Sequence, residues 1–326
     1  MAGRARDILH IGVSACLVGE AVRYDGGHKR DPFVTDDLAG HARLVPVCPE
    51  VGAGMGVPRE TVRLVKIGKL THMVAPASGA DWTERMQAYA RGRVEALAGE
   101  DLDGYVLKQD SPSCGMDRVK RHPGTGGAPA RDGVGLFAAQ LMARFPLLPV
   151  EEEGHLHDPV RRAHFVARVF AYRRLRRVFA ARWSVGGLAR FHAAEKLLVM
   201  AHDATAYAAL ARLIAAARSR SRPRAQIAAA YAHRFMAALA RPASRRSHAR
   251  VLAHAAGLLH GSLDAAERAE LQATIAGLGR GRVPLGVALT LVRQRARQHS
   301  VTELVGQTYL EPQPQELRLR GPARAA

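Results

Sequence analysis

Three cysteines and one carboxylate are the residues of this chain whose types and surroundings suit chemistry. Cys16 lies in "SACLVGEAVRYDGG", Cys48 in "CPEVGAGMGVPRE" and Cys114 in "LKQDSPSCG", and the 326 residues hold no other cysteine. Each sits where a short apolar run gives way to turn residues. An odd and sparse set of thiols does not make a disulfide framework. That leaves inert buried thiols, a nucleophile or soft metal ligands. Structural zinc normally takes four protein ligands, often as C-x-x-C pairs, and no such pair occurs. Three thiolates suit an iron–sulfur cubane whose fourth iron stays open, the arrangement of a catalytic metal site. Spacing alone leaves the choice between inert thiols and a cluster open.

Glu50 follows Cys48 by two positions, and Ser111 precedes Cys114 by three. A carboxylate so placed suits general acid–base work, and a serine hydroxyl can orient substrate or relay a proton. Ser113 is the less favoured serine. Asp25 in "RYDGG" and Lys108 are candidate substrate contacts, although Asp before Gly-Gly is more often a turn. The Gly-rich "HPGTGGAPARDGVG" (122–135) lacks the Lys-Ser/Thr of a phosphate loop and the spacing of a dinucleotide fingerprint. It reads as a mobile loop near the site. His202 has no partner histidine at metal spacing, and Tyr207 and Tyr231 read as helix core more readily than as base-stacking residues.

The elements that must position these residues follow from hydrophobic periodicity. "ILHIGVSA" (8–15), "RLVPVCP" (43–49), "TVRLVKIG" (61–68) and "DGYVLKQD" (103–110) read as short strands. Segments 81–100 and 135–146 have apolar residues at helical spacing. Strand–helix alternation predicts an α/β domain with a mainly parallel sheet over residues 1–155. Sites in such sheets form at the carboxyl ends of strands, where all three cysteines fall. From 156 to 326 the pattern is an all-α helical bundle, with helices expected at 187–218, 224–240, 245–260, 264–278 and 284–298. Pro312, Pro314 and Pro322 predict a frayed tail after Glu311.

Charge divides at the same place. Residues 1–150 carry 19 Lys and Arg against 17 Asp and Glu, while 151–326 carry 29 against 12. The lopsided half points to a polyanionic partner, with Arg173, Arg176 and Arg177 sharing one helix face as candidate contacts. The N-terminal stretch has no apolar signal core, and no apolar run is long enough to cross a bilayer, so the expected location is the cytoplasm.

The three cysteine motifs and "GVGLFA", in this order, resemble those of the thiouracil desulfidase (TudS-like) family over roughly residues 8–150. "FHAAEKLLVMAHDATAYAALARLIA", "RVPLGVALTLVRQ" and "QTYLEPQP" resemble the helical domain fused to it in a longer branch, which is similar to tRNA 4-thiouridine desulfidases (RudS). The resemblance implies a 4Fe–4S cluster held by Cys16, Cys48 and Cys114, with Glu50 and Ser111 as catalytic residues. It implies hydrolytic removal of thiocarbonyl sulfur from 4-thiouridine in tRNA, which the basic helical half would hold. The alternatives are a desulfidase of free thiouracil or related thiobases, a non-catalytic RNA-binding iron–sulfur protein, and arginine helices that bind an anionic membrane or an acidic protein.

Overall fold

The structure, a computed structural model, describes residues 8–311 apart from 125, 181 and 220. The proline-bearing tail after Glu311 lies outside the described residues. Two compact units divide at Val169/Phe170.

The first unit is built on a four-stranded parallel sheet. Strands β1 (Leu9–Ser14), β2 (Ala42–Val47), β5 (Gly104–Leu107) and β8 (Val150–Glu152) lie in the order β2-β1-β5-β8. Ile11 faces Leu44 on one side and Gly104 on the other, and Tyr105 faces Val150. β1 and β5 are buried along nearly their whole length, as expected of strands covered on both faces.

A second, mixed sheet was not foreseen. It orders β4 (Leu70–Val74), β3 (Arg63–Ile67), β6 (Val119–Pro123) and β7 (Ala130–Gly133) as β4-β3-β6-β7. Only its central pair, β3 and β6, is parallel. The segment 61–68 therefore belongs to a different sheet from the other strands read in the sequence. Within the Gly-rich 122–135, His122 and Pro123 end β6 and Ala130–Gly133 form β7, the second strand of a hairpin. Its polar composition hides it, because β7 is an edge strand with most of its side chains in solvent. One face of this sheet buries Leu64, Met73 and Val119 against Met86, with Met55, Trp82 and Leu136 packed around them.

Short helices join these strands. α1 (Pro49–Gly52) follows β2, α2 (Thr83–Leu97) buries Met86, Ala90, Val94 and Leu97, and α3 (Leu136–Arg144) buries Phe137, Ala138 and Leu141. α4 (Glu153–Leu156) follows β8, and the long α5 (Pro159–Phe179) begins just after it.

The second unit is all-helical. It holds α6 (Val185–Ala194), α7 (Lys196–His202), α8 (Ala204–Arg218), α9 (Arg224–Ala238), α10 (Arg245–Leu259), α11 (Ala265–Gly279) and α12 (Leu285–Gln298). The stretch 187–218, expected as one helix, is broken twice. Asp203 accepts bonds from the backbone of Thr205 and Ala206 and so starts a new helix there. Buried Glu195 accepts from Arg174 Nε at 2.6 Å and Thr308 Oγ1 at 2.7 Å, which fixes the earlier bend. Ser184, Ser244 and the Asp264–Glu267 capping box start three others. Tyr231 and Phe235 are fully buried and pack with Phe191 in the core, while Tyr207 stacks on His192 at 4.2 Å. Among the described residues no helix is long and apolar enough to cross a membrane.

Candidate active site

The three neighbouring parallel strands β2, β1 and β5 each deliver one cysteine beyond their carboxyl ends. Cys16 lies in the 3₁₀ turn Ala15–Val18, directly after β1. Cys48 is the cap residue of α1, directly after β2. Cys114 lies in the loop after β5. All three line one cavity of about 360 Å³ together with Glu50, Arg59, Ser111 and Ser113. None is in a disulfide. This is the crevice that a parallel sheet leaves at its carboxyl edge.

The Cys114 loop is built by Ser111. Its Oγ accepts from the backbone N–H of Ser113 at 3.3 Å and of Cys114 at 3.1 Å, and its carbonyl accepts from Gly115 at 2.8 Å. The loop packs so tightly on the start of α3 that a β-carbon on Gly135 would lie 2.5 Å from the Ser113 carbonyl. Only glycine fits there. Behind the sheet end, buried Ser14 accepts from Lys108 N at 2.9 Å and also bonds the Cys114 side chain.

Glu50 is held from two sides. Arg59, whose side chain is 6% exposed, donates Nε to Glu50 Oε2 at 3.0 Å and adds a second bond from Nη2. Its Nη1 donates to the carbonyls of Val22 and Gly56, both at 3.0 Å. The other carboxylate oxygen, Oε1, accepts from Ser113 Oγ at 2.6 Å. Since that hydroxyl proton points to Glu50, the 2.9 Å bond between the two serines has Ser111 donating to Ser113. The cavity thus joins Ser111, Ser113, Glu50 and Arg59 in one hydrogen-bonded line.

Of the secondary candidates, Lys108 lines the cavity, but its Nζ is held by Glu153 and the Gln109 carbonyl. Asp25 does not line it. Its Oδ1 accepts from Gly27 N at 3.0 Å, so it is a turn residue, and that bond holds its carboxyl below the usual range. His202 Nδ1 donates to the Arg241 carbonyl at 2.7 Å, and among the described residues it belongs to no cluster of metal-ligating side chains. The sequence reading did not single out Arg59, although it stands in the quoted Cys48 motif. The rim adds Arg23, Lys29 and Tyr24, whose ring is 40% exposed with the Arg23 guanidinium 5.2 Å from its centre.

Burial pushes all three thiols up. Cys16 rises to about 11, with Lys108 opposing and Cys48 adding to the shift. Cys48 and fully buried Cys114 are raised for the same reason. Thiols of this kind are poor nucleophiles at neutral pH and ionise only toward a metal. Three thiols from three separate strand ends, with no C-x-x-C pair and no fourth cysteine, suit a group with separate corners better than a four-ligand structural zinc.

An α/β unit that gathers three free thiols and a clamped carboxylate around one crevice has the donor set of a thiolate metal site. The model of the 2-thiouracil desulfurase family matches residues 11–153, and that of a protein family of unknown function (DUF1722) matches 196–314. Similar proteins include YbbK of Bacillus subtilis (strain 168), 31% identical over 40% of this chain and 87% of YbbK. YbgA of Escherichia coli (strain K12) is 29% identical over 47% of this chain and 90% of YbgA. Both are described as uncharacterized. A solved structure described as the 4Fe-4S-dependent thiouracil desulfidase TudS is 31% identical, covering 46% of this chain and 94% of that one, with a TM-score of 0.39. The chain belongs to the 2-thiouracil desulfurase family.

Proposed function

We propose that this chain is a desulfidase that removes the thiocarbonyl sulfur of 4-thiouridine in tRNA, with a 4Fe–4S cluster held by Cys16, Cys48 and Cys114. The observation that carries this reading is the meeting of three free thiols, Cys114 buried and Cys16 and Cys48 half-buried, with a clamped carboxylate on one cavity. When bound, the cluster would supply an iron without a protein ligand, a Lewis acid for sulfur. Glu50, fixed by Arg59, takes a proton from the attacking water through the carboxylate oxygen that faces Ser113. Water oxygen replaces sulfur on the carbon, the sulfur departs as sulfide, and no electrons are exchanged overall. Ser111 and Ser113 carry the proton between Glu50 and the base or the leaving sulfur. The family resemblance favours Ser111, and the direct bond to Glu50 favours Ser113.

Two features support tRNA as the substrate. The positive charge is concentrated in residues 151–326, as suits phosphate binding. Arg23 and Lys29 at the cavity rim suit a nucleotide rather than a bare base. The second reading, free thiouracil or a related thiobase, is favoured by the description of the family model. Anaerobic reconstitution with iron and sulfide, then parallel incubation with 4-thiouridine-containing tRNA and with free 4-thiouracil, tests both. Turnover of the tRNA at a lower KM supports the first. Turnover of the free base alone supports the second, and turnover of neither removes the enzyme.

A further inference from the structure

Several arginines of the helical unit are tied into the fold. Arg174 is paired with Glu195, Arg295 with Glu267 and Glu270, and Arg297 with Glu311. Arg268 bonds the Leu263 carbonyl, and Arg224 lies over Trp183. The face expected to meet a polyanion is also engaged: Arg173, Arg176 and Arg177 all have interaction partners, and Arg176 lies over the Tyr172 ring.

A different surface stands out. Arg245, Arg246 and Arg250 occupy the first two turns of α10, and Arg280 and Arg282 flank Gly281 in the turn between α11 and α12. All five are exposed. Among the described residues none of the five forms an ion pair. The two segments meet. A β-carbon on Gly281 would lie 3.0 Å from Arg245 Nη1, and one on Gly279 would lie 3.6 Å from the Ala249 β-carbon. Gly281 has φ of +76°, so the tight turn that brings Arg280 and Arg282 beside α10 depends on glycine. The first turns of α10 and α12 contain no acidic residue. Five like charges gathered at one corner oppose folding, and the amino end of α10 adds to the positive potential.

We infer that this corner, Arg245, Arg246, Arg250, Arg280 and Arg282, is a docking surface for the phosphate backbone of folded RNA. The inference rests on the tRNA reading above and specifies where the helical unit would hold that substrate. Guanidinium forks match phosphate oxygens in pairs, and a cluster drawn from two elements suits successive phosphates. A membrane surface is the poorer match, because neither 241–250 nor 279–284 contains a Leu, Phe or Trp to enter lipid.

The test is filter binding of full-length protein to several unrelated tRNAs across a salt series. The triple variant Arg246→Gln, Arg250→Gln, Arg282→Gln is compared with a control of equal charge change, Lys69→Gln, Arg85→Gln, Arg91→Gln. Loss of three phosphate contacts flattens the log–log salt slope by about 2 to 3, the same for every tRNA. Between about 50 and 200 mM salt, wild-type affinity then falls roughly 15- to 60-fold more than that of the variant. The control keeps the wild-type slope, and urea midpoints confirm that both variants are folded. Equal slopes for wild type and the corner variant overturn the inference and leave the tRNA reading standing. An equal change in the control also overturns it, as bulk charge. Corner-dependent binding to anionic phosphatidylserine vesicles with unchanged RNA slopes overturns it in favour of a membrane. Wild-type protein that binds no tRNA overturns the tRNA reading itself.

Discussion

Ser113 Oγ lies 2.6 Å from Glu50 Oε1, a bond that joins residues 63 positions apart and ties the Cys114 loop to the Cys48 helix. It gives the two serines of "SPSCG" different work. Ser111 builds the loop, and Ser113, only 1% exposed, holds the carboxylate. Ser113→Ala is expected to keep the iron content and lower turnover by roughly 10- to 10²-fold, the scale of a perturbed proton transfer. Ser111→Ala is expected to lower the iron content as well, since Cys114 loses its loop support. Iron analysis beside initial rates checks both. A Ser113→Ala protein with wild-type turnover removes that hydroxyl from the path.

Arg59 is expected to act on Glu50 through position. Arg59→Lys cannot reproduce the fork that grips Oε2 while bonding two carbonyls. Its kcat should fall about 10-fold or more with little change in KM, because the carboxylate is displaced and not lost. Arg59→Met should cost about 3 kcal/mol of stability, because it leaves a largely buried carboxylate without its partner. Urea unfolding of the metal-free proteins measures this cost, and an unchanged midpoint contradicts the clamp.

Two histidines of the helical unit, buried His192 and half-buried His248, set a pH dependence. Burial lowers His192 from 6.5 to about 4, and burial aided by His202 does the same for His248. His192 bonds Tyr231 and stacks on Tyr207, while His248 bonds and stacks on Tyr309. The unfolded chain takes up these protons near pH 6.5, and the folded chain does so only near pH 4. Stability is therefore complete above the unfolded value and falls as pH drops from 6.5 toward 4. Each residue contributes roughly 1.4 kcal/mol per pH unit at most. Urea midpoints across that range should decline, and less steeply in His192→Phe and His248→Phe. A flat profile contradicts the buried neutral state.

The strand ends that carry the cysteines were legible because local pattern is enough to find them. Apolar runs stop at Gly, Pro or Ser before Cys16 and Cys48 and around Cys114. The same holds for α9 to α12, whose bounds follow helical periodicity, Pro223 and Pro284. The Ser113–Glu50 bond and the Arg59 fork were not legible, since they join segments brought together only by the sheet. The second sheet escaped because β7, with Arg131 and Asp132, has no apolar alternation to read. Arg173, Arg176 and Arg177 form a face by spacing alone, yet spacing says nothing about the partners they have.

The most direct measurement of the central claim is the source of the oxygen that replaces sulfur. Reconstituted protein is incubated anaerobically with 4-thiouridine-containing tRNA in water labelled with heavy oxygen, without a reductant. The digested RNA is then examined by mass spectrometry, and the released sulfide is counted. Expected is uridine carrying the label, with sulfide in equal amount, and with both reduced about 10²-fold or more in Glu50→Gln at unchanged iron content. Uridine without label, or turnover only when an electron donor is supplied, would contradict hydrolysis assisted by Glu50.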